Sequence, residues 1–111
     1  MKDERLYLIH IQESLERIED YLGGIDEAGF LESPIVQDAV IRNLQVMAES
    51  CRRLSEESKA SQAQIDWRKM AGFRNIVVHD YLGIELDRVW QIIEKDLPAL
   101  KAAIAALLAE K

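Results

Sequence analysis

The chain has 111 residues, a net charge of −6, and a composition that is 49% hydrophobic and 31% charged, enough for one hydrophobic core and not for two. Two histidines and one cysteine exclude an intramolecular disulfide, a structural zinc site and a metal centre built on several imidazoles. The longest apolar stretch, Ala102 to Ala109, is too short to cross a membrane and no basic-then-apolar signal opens the chain, so a soluble cytoplasmic protein with no membrane contact is expected.

Residues 1–111 read as a single all-α domain, because Pro is scarce, apolar/polar alternation is absent and the glycines fall mostly between periodic segments. A first helix is predicted from about Asp3 to Leu22, with Leu8, Ile11, Leu15, Ile18 and Leu22 on its buried side. Gly23-Gly24 ends it by permitting backbone conformations that side chains disfavour. Ser33-Pro34 reads as an N-cap followed by proline at the first helical position. The helix it opens buries Val36, Val40, Leu44, Met47, Cys51 and Leu54. Ser55 to Gln64 is polar and Ser-rich, and is predicted to be a connection with a turn or two of helix, the most mobile internal segment. A third main helix starts near Asp66 and carries Trp67, Met70, Phe73 and Val77 inward. A fourth spans about Glu85 to Lys95, burying Leu86, Val89, Trp90 and Ile93, and Pro98 then starts or kinks the last. The architecture expected is an antiparallel bundle of four to five main helices.

The overall negative charge opposes nucleic acid, yet its distribution is uneven. From Arg42 to Arg74 seven Lys/Arg stand against four acids, +3 in that window against −9 elsewhere. An acidic body with a locally basic middle is compatible with RNA bound at one cleft; ordinary surface variation accounts for the excess as well.

The chemistry-bearing segment is Arg74-Asn75-Ile76-Val77-Val78-His79-Asp80-Tyr81. Arg holds phosphate through a planar fork of donors, and His both takes and gives a proton near neutral pH. Together they suffice for cleaving RNA by attack of the ribose 2′-hydroxyl, with no divalent metal and no cofactor. From composition and spacing alone, an Arg and a His five apart are more often a solvated cation and a capped or packed histidine. On an ideal helix the two differ by about 140° in direction, whereas Arg74 and Tyr81 differ by about 20°. For Arg74 and His79 to reach one phosphate, either the helix loosens before His79 or two chains combine their residues. A symmetric homodimer sharing the site is the arrangement predicted, with Arg68 and Lys69 at its rim as RNA-binding candidates and Asn75 as an orienting hydrogen-bonding group.

The wider pattern resembles the HepT-like branch of the HEPN family, toxin partners of minimal nucleotidyltransferase (MNT) antitoxins. The likeness covers most of the chain: the opening RLYLIHIQESLERIEDY, the helix QDAVIRNLQVMAES and the block DWRKMAGFRNIVVHDYLGIELDRVWQIIEKDLPAL. It implies a homodimeric HEPN-type bundle and a metal-independent endoribonuclease acting on tRNA or mRNA, with Arg74 and His79 as the catalytic pair. It further implies a cognate MNT antitoxin that transfers AMP groups to Tyr81. Many relatives carry Gly-Glu-Ala where this chain has Ala48-Glu49-Ser50, which leaves the acid in place. A second reading is a catalytically silent HEPN module that only binds a nucleotidyltransferase, and a third is a purely structural helical dimerisation subunit. Glu49 is expected to form a structural salt bridge or to be exposed, with Arg74 or Arg42 as the partner that would orient a site. Trp67 and Trp90 are expected in the core or a dimer contact rather than stacked on bases, Cys51 is expected to be buried packing, and His10 receives no role.

Overall fold

The computed structural model describes residues 4–76 and 84–110, and for Ile84 and Glu85 the backbone alone. Within these every secondary-structure element is helical. The helices are α1 (Arg5–Leu22), α2 (Glu27–Leu31), α3 (Pro34–Arg52), α4 (Glu56–Ser61), α5 (Trp67–Gly72), α6 (Ile84–Gln91) and α7 (Leu97–Glu110). A single 3-10 turn, Phe73–Asn75, extends α5, and a π turn, Ile92–Asp96, joins α6 to α7. No helix among the described residues is long and apolar enough to cross a membrane.

Apolar residues repeating at three- and four-residue spacing give α1, α3 and α7 one buried stripe each. Leu8, Ile11, Leu15 and Ile18 of α1 meet Val40, Leu44, Met47 and Cys51 of α3 and Leu100, Ile104 and Leu107 of α7 in one core. Each such side chain contributes roughly 1.5–3 kcal/mol on leaving water. Terminal contacts establish the directions of the long helices. Glu4, just before α1, accepts hydrogen bonds from Ser55 and Ser58, just after α3. Glu19, late in α1, meets Lys101, early in α7, at 2.7 Å. Both α3 and α7 are therefore antiparallel to α1.

Three local features depart from the sequence expectation. The stretch between Gly23-Gly24 and Ser33 contains α2, capped by the Asp26 side chain accepting from the Gly29 N–H. Its Phe30 is fully buried, lies 5.5 Å from the Trp90 ring, and offers its carbonyl to the Gln37 side chain at 2.8 Å. Gly23 itself adopts φ +54° and donates to the Glu19 carbonyl, a left-handed helix end that glycine tolerates at no steric cost. Second, the Ser-rich connection expected to be mobile is tied down. The Ser55 N–H, the Ser55 hydroxyl and the Ser58 hydroxyl all donate to the Glu4 carboxylate. Third, Pro98 stands in the first turn of α7, where the sequence has a helix started or kinked, but α6 runs on into α7 through a π turn rather than ending before it. The proline has no N–H for the Glu94 carbonyl and its ring crowds that oxygen, so the preceding turn widens and the Leu97 N–H reaches back to Ile92.

Candidate active site at the end of α5

α5 is short because its sequence opens well and continues poorly. The Asp66 side chain accepts from the Lys69 N–H at 3.0 Å and starts it. The Trp67 ring N–H is shared between the Lys59 and Gln62 carbonyls, at 3.0 and 3.1 Å, which ties α5 to the end of α4. Met70 and Phe73 are buried against α3. The β-branched run Ile76-Val77-Val78 then disfavours helix, and the coil tightens to a 3-10 turn before Ile76 leaves helical geometry at φ −64°, ψ +124°. Gln45 of α3 donates its amide to the Ile76 carbonyl at 3.0 Å, holding the exit in place.

This exit positions Arg74. Its side chain is 44% exposed, and Nη1 lies 3.5 Å from Oε1 of Glu49 on α3. The other carboxylate oxygen of Glu49 accepts from Arg52 Nη2 at 2.9 Å and from Arg53 Nε at 3.4 Å. One carboxylate thus faces three guanidiniums, leaving the cluster net positive where α3 ends, the end at which a helix favours cations. Hydrogen bonding from Arg52 is the chief cause that holds the Glu49 carboxyl below its ordinary value, and the same bond raises Arg52. Glu49 pairs with Arg74 rather than with Arg42. The separation is ion-pair contact rather than a hydrogen bond, so the Arg74 fork keeps its donors for a phosphate.

Of the remaining predicted site residues, Lys69 and Asn75 border a groove of about 760 Å³ between α5 with its 3-10 turn and α6 with the π turn. Lys69 is tethered across it to Asp96 at 3.2 Å. Arg68 is exposed and does not border the groove. His79 and Tyr81 lie outside the described residues, as does Val77. Ile76 leaves helical geometry, so the ideal-helix offset of about 140° cannot be carried across it from Arg74 to position 79. Trp90 is core, and Trp67 is half-buried with its N–H occupied, so neither is presented as a stacking platform. Cys51 is buried, and burial pushes its thiol up to about 12. Two groove residues escaped the sequence reading, Arg88 and Lys95. Their seven-residue spacing on one helical face is the signal that marks them, but Asp87, Glu94 and Asp96 beside them cancel it in any charge count.

A family model described as "Ribonuclease HepT-like" matches residues 11–107. A Methanocaldococcus jannaschii protein named "Gamma-glutamylcyclotransferase and putative RNase" is 37% identical over 109 residues, 98% of this chain. The chain spans about half (49%) of that relative's length. A "Probable ribonuclease HepT" of Thermococcus cleftensis is 33% identical over 91% of this chain and 92% of its own length. An "mRNA nuclease HepT" of Shewanella oneidensis is 28% identical over 90% of this chain and 92% of its own. No solved structure matches the chain.

Proposed function

This chain belongs to the ribonuclease HepT-like family, and on that premise we propose that it is a metal-independent endoribonuclease, the toxin of a HEPN–MNT toxin–antitoxin pair. The observation that carries the reading is Arg74: a half-exposed guanidinium in a net-positive cluster, held by Glu49, at a helix exit beside a groove rimmed by cations. In the reaction the ribose 2′-oxygen attacks phosphorus, the P–O5′ bond breaks, and the proton lost by the 2′-hydroxyl is balanced by one gained by the departing 5′-oxygen. His79 takes or gives that proton, and Arg74 neutralises the charge growing on the non-bridging oxygens. The products are a 2′,3′-cyclic phosphate and a free 5′-hydroxyl; DNA lacks the nucleophile. The printed name of the Shewanella relative supports RNA as substrate.

Neutralisation by an MNT antitoxin through AMP transfer to Tyr81 follows the same logic. Each added phosphate places negative charge and bulk beside the cation that must receive RNA. The site is assembled in a homodimer, with Asn75 orienting a catalytic partner. Incubating the purified protein with total RNA in EDTA should yield cyclic-phosphate ends, and Arg74→Ala and His79→Ala should each abolish them. Activity that EDTA removes, or that survives both substitutions, would refute the mechanism. Mixed dimers of the two variants recover activity only if one protomer supplies the arginine and its partner the histidine.

A further inference from the structure

We propose that the groove between α5 and the α6–π-turn segment seats a single-stranded stretch of RNA next to the scissile bond, with Arg88 and Lys95 as its phosphate-binding residues. The inference rests on the ribonuclease reading of the adjoining site and names the form of RNA it takes.

Charge supplies the first argument. Among the described residues the groove carries Lys69, Arg88 and Lys95 against a single acid, Asp96. Lys69 neutralises Asp96 at 3.2 Å, and neither Arg88 nor Lys95 has an ion-pair partner among the described residues. In a chain of net charge −6, two exposed, uncompensated cations facing one groove complement a polyanion. They stand seven residues apart, Arg88 on α6 and Lys95 in the π turn that follows it, and both border the groove, so their flexible side chains can reach neighbouring phosphates of one strand.

Shape supplies the second. Phe73, Ile76, Val89 and Ile92 form apolar walls beneath the cations, and about 760 Å³ falls within the range of roughly 300–1,000 Å³ typical of small-ligand pockets. A paired, stacked base cannot enter such a wall, whereas an unstacked one can, so the groove selects single strands, loops or ends over duplex. Position supplies the third. Asn75 lines the groove and directly follows Arg74, so a strand lying there runs to the guanidinium proposed to meet the scissile phosphate. Pro98 contributes at a distance, since the π turn it imposes is the segment that presents Ile92, Lys95 and Asp96 to the groove.

The test is fluorescence anisotropy with a 2′-O-methyl single-stranded oligonucleotide, which binds without being cleaved. The double variant Arg88→Gln/Lys95→Gln keeps good helix formers at two exposed positions. Lys101→Gln, at the α1–α7 contact, serves as the control. The double variant should bind roughly tenfold more weakly near 0.1 M salt, and its slope of log K against log salt should shrink by about 1.4, two phosphates at about 0.7 each. The control should match the parent, and a duplex of the same length should bind the parent at least tenfold more weakly. Unchanged affinity and slope in the double variant would overturn the assignment. So would equal affinity for duplex, or a double variant that binds RNA normally but no longer self-associates in light scattering, which would make the groove a contact between copies. Cleavage does not enter the readout. A protein that cuts nothing yet loses strand binding with Arg88 and Lys95 would sink the ribonuclease reading and leave the groove assignment standing.

Discussion

Gln45→Met probes a side-chain hydrogen bond that joins α3 to the exit of the turn carrying Arg74. Methionine preserves side-chain length and has nearly the same helix propensity as glutamine, so the change in α3 itself is close to zero. What disappears is the amide donor at 3.0 Å from the Ile76 carbonyl. That carbonyl is part-buried, and water replaces the lost bond incompletely, so the loss is about 0.5–1.5 kcal/mol. A chain of 111 residues unfolds with an entropy of about 0.23 kcal/mol per kelvin, which converts the loss to a melting-temperature drop of about 2–6 °C. The effect should be local as well as global. The Ile76 N–H donates to the Phe73 carbonyl at 3.1 Å, and its hydrogen exchange should accelerate in the variant while that of amides in mid-α1 scales only with global stability. If the whole loss falls on the placement of Arg74, kcat/KM for RNA should drop by about 2- to 13-fold at temperatures where the variant is fully folded. Calorimetry, amide exchange and a cleavage assay give the three readings. An unchanged melting temperature together with unchanged exchange at Ile76 would show that the turn does not depend on α3.

Two further outcomes follow from the titrating groups. The Cys51 thiol, pushed up to about 12 from an ordinary 9.0 by burial, should resist a disulfide reagent at pH 8 in the native protein and react once denaturant unfolds it. Fast labelling of the native state would contradict its burial. The folded state holds that proton more tightly than the unfolded chain does, so the contribution is complete below pH 9 and is lost as pH rises towards 12, at about 1.4 kcal/mol per pH unit. Glu49 behaves oppositely. Its carboxyl is lowered from an ordinary 4.5, chiefly by Arg52, so its ion pairs are intact above that pH and released as pH falls through the lowered value. A carbon-detected NMR titration should place its midpoint below 4.5 in the parent and return it towards 4.5 in Arg52→Ala; an unshifted midpoint in the parent would refute the pairing.

The bundle was readable before any coordinates. Leu8, Ile11, Leu15 and Ile18, or Val40, Leu44, Met47 and Cys51, repeat at three and four residues, and all eight are buried. Such spacing puts side chains on one face whatever their partner, which is why the long helices could be placed within a few residues of their ends. Short elements were less legible. α2 has five residues, too few for a periodic stripe, and its signal is a lone Asp26 cap followed by one buried aromatic. α4, six residues long, fits the turn or two of helix that the Ser-rich connection suggests, but its anchorage is not legible there. Ser58 is buried there because Glu4, 54 residues away, reaches it.

At the site the division is sharper. Arg74, Asn75, His79 and Tyr81 were identified as a group by residue type and by resemblance, because the chemistry of a guanidinium, an imidazole and a phenol belongs to the side chains and not to their surroundings. α5 ends sooner than apolar spacing suggests, and the ideal-helix angle between positions 74 and 79 is drawn across Ile76, where the backbone has already left helical geometry. The β-branched Ile76-Val77-Val78 run was a local warning. The bond from Gln45, 31 residues earlier, could not be seen in spacing.

Sequence by itself determined that this chain is one helical bundle of the HepT-like kind and which residue types are available for chemistry, since propensity, capping and apolar period act over a few neighbours. Only the tertiary structure decided where α5 stops, that Glu49 on α3 faces Arg74, and that Arg88 and Lys95 share a groove with Asn75. Those are distances between residues far apart in the chain, and packing of one helix against another sets them.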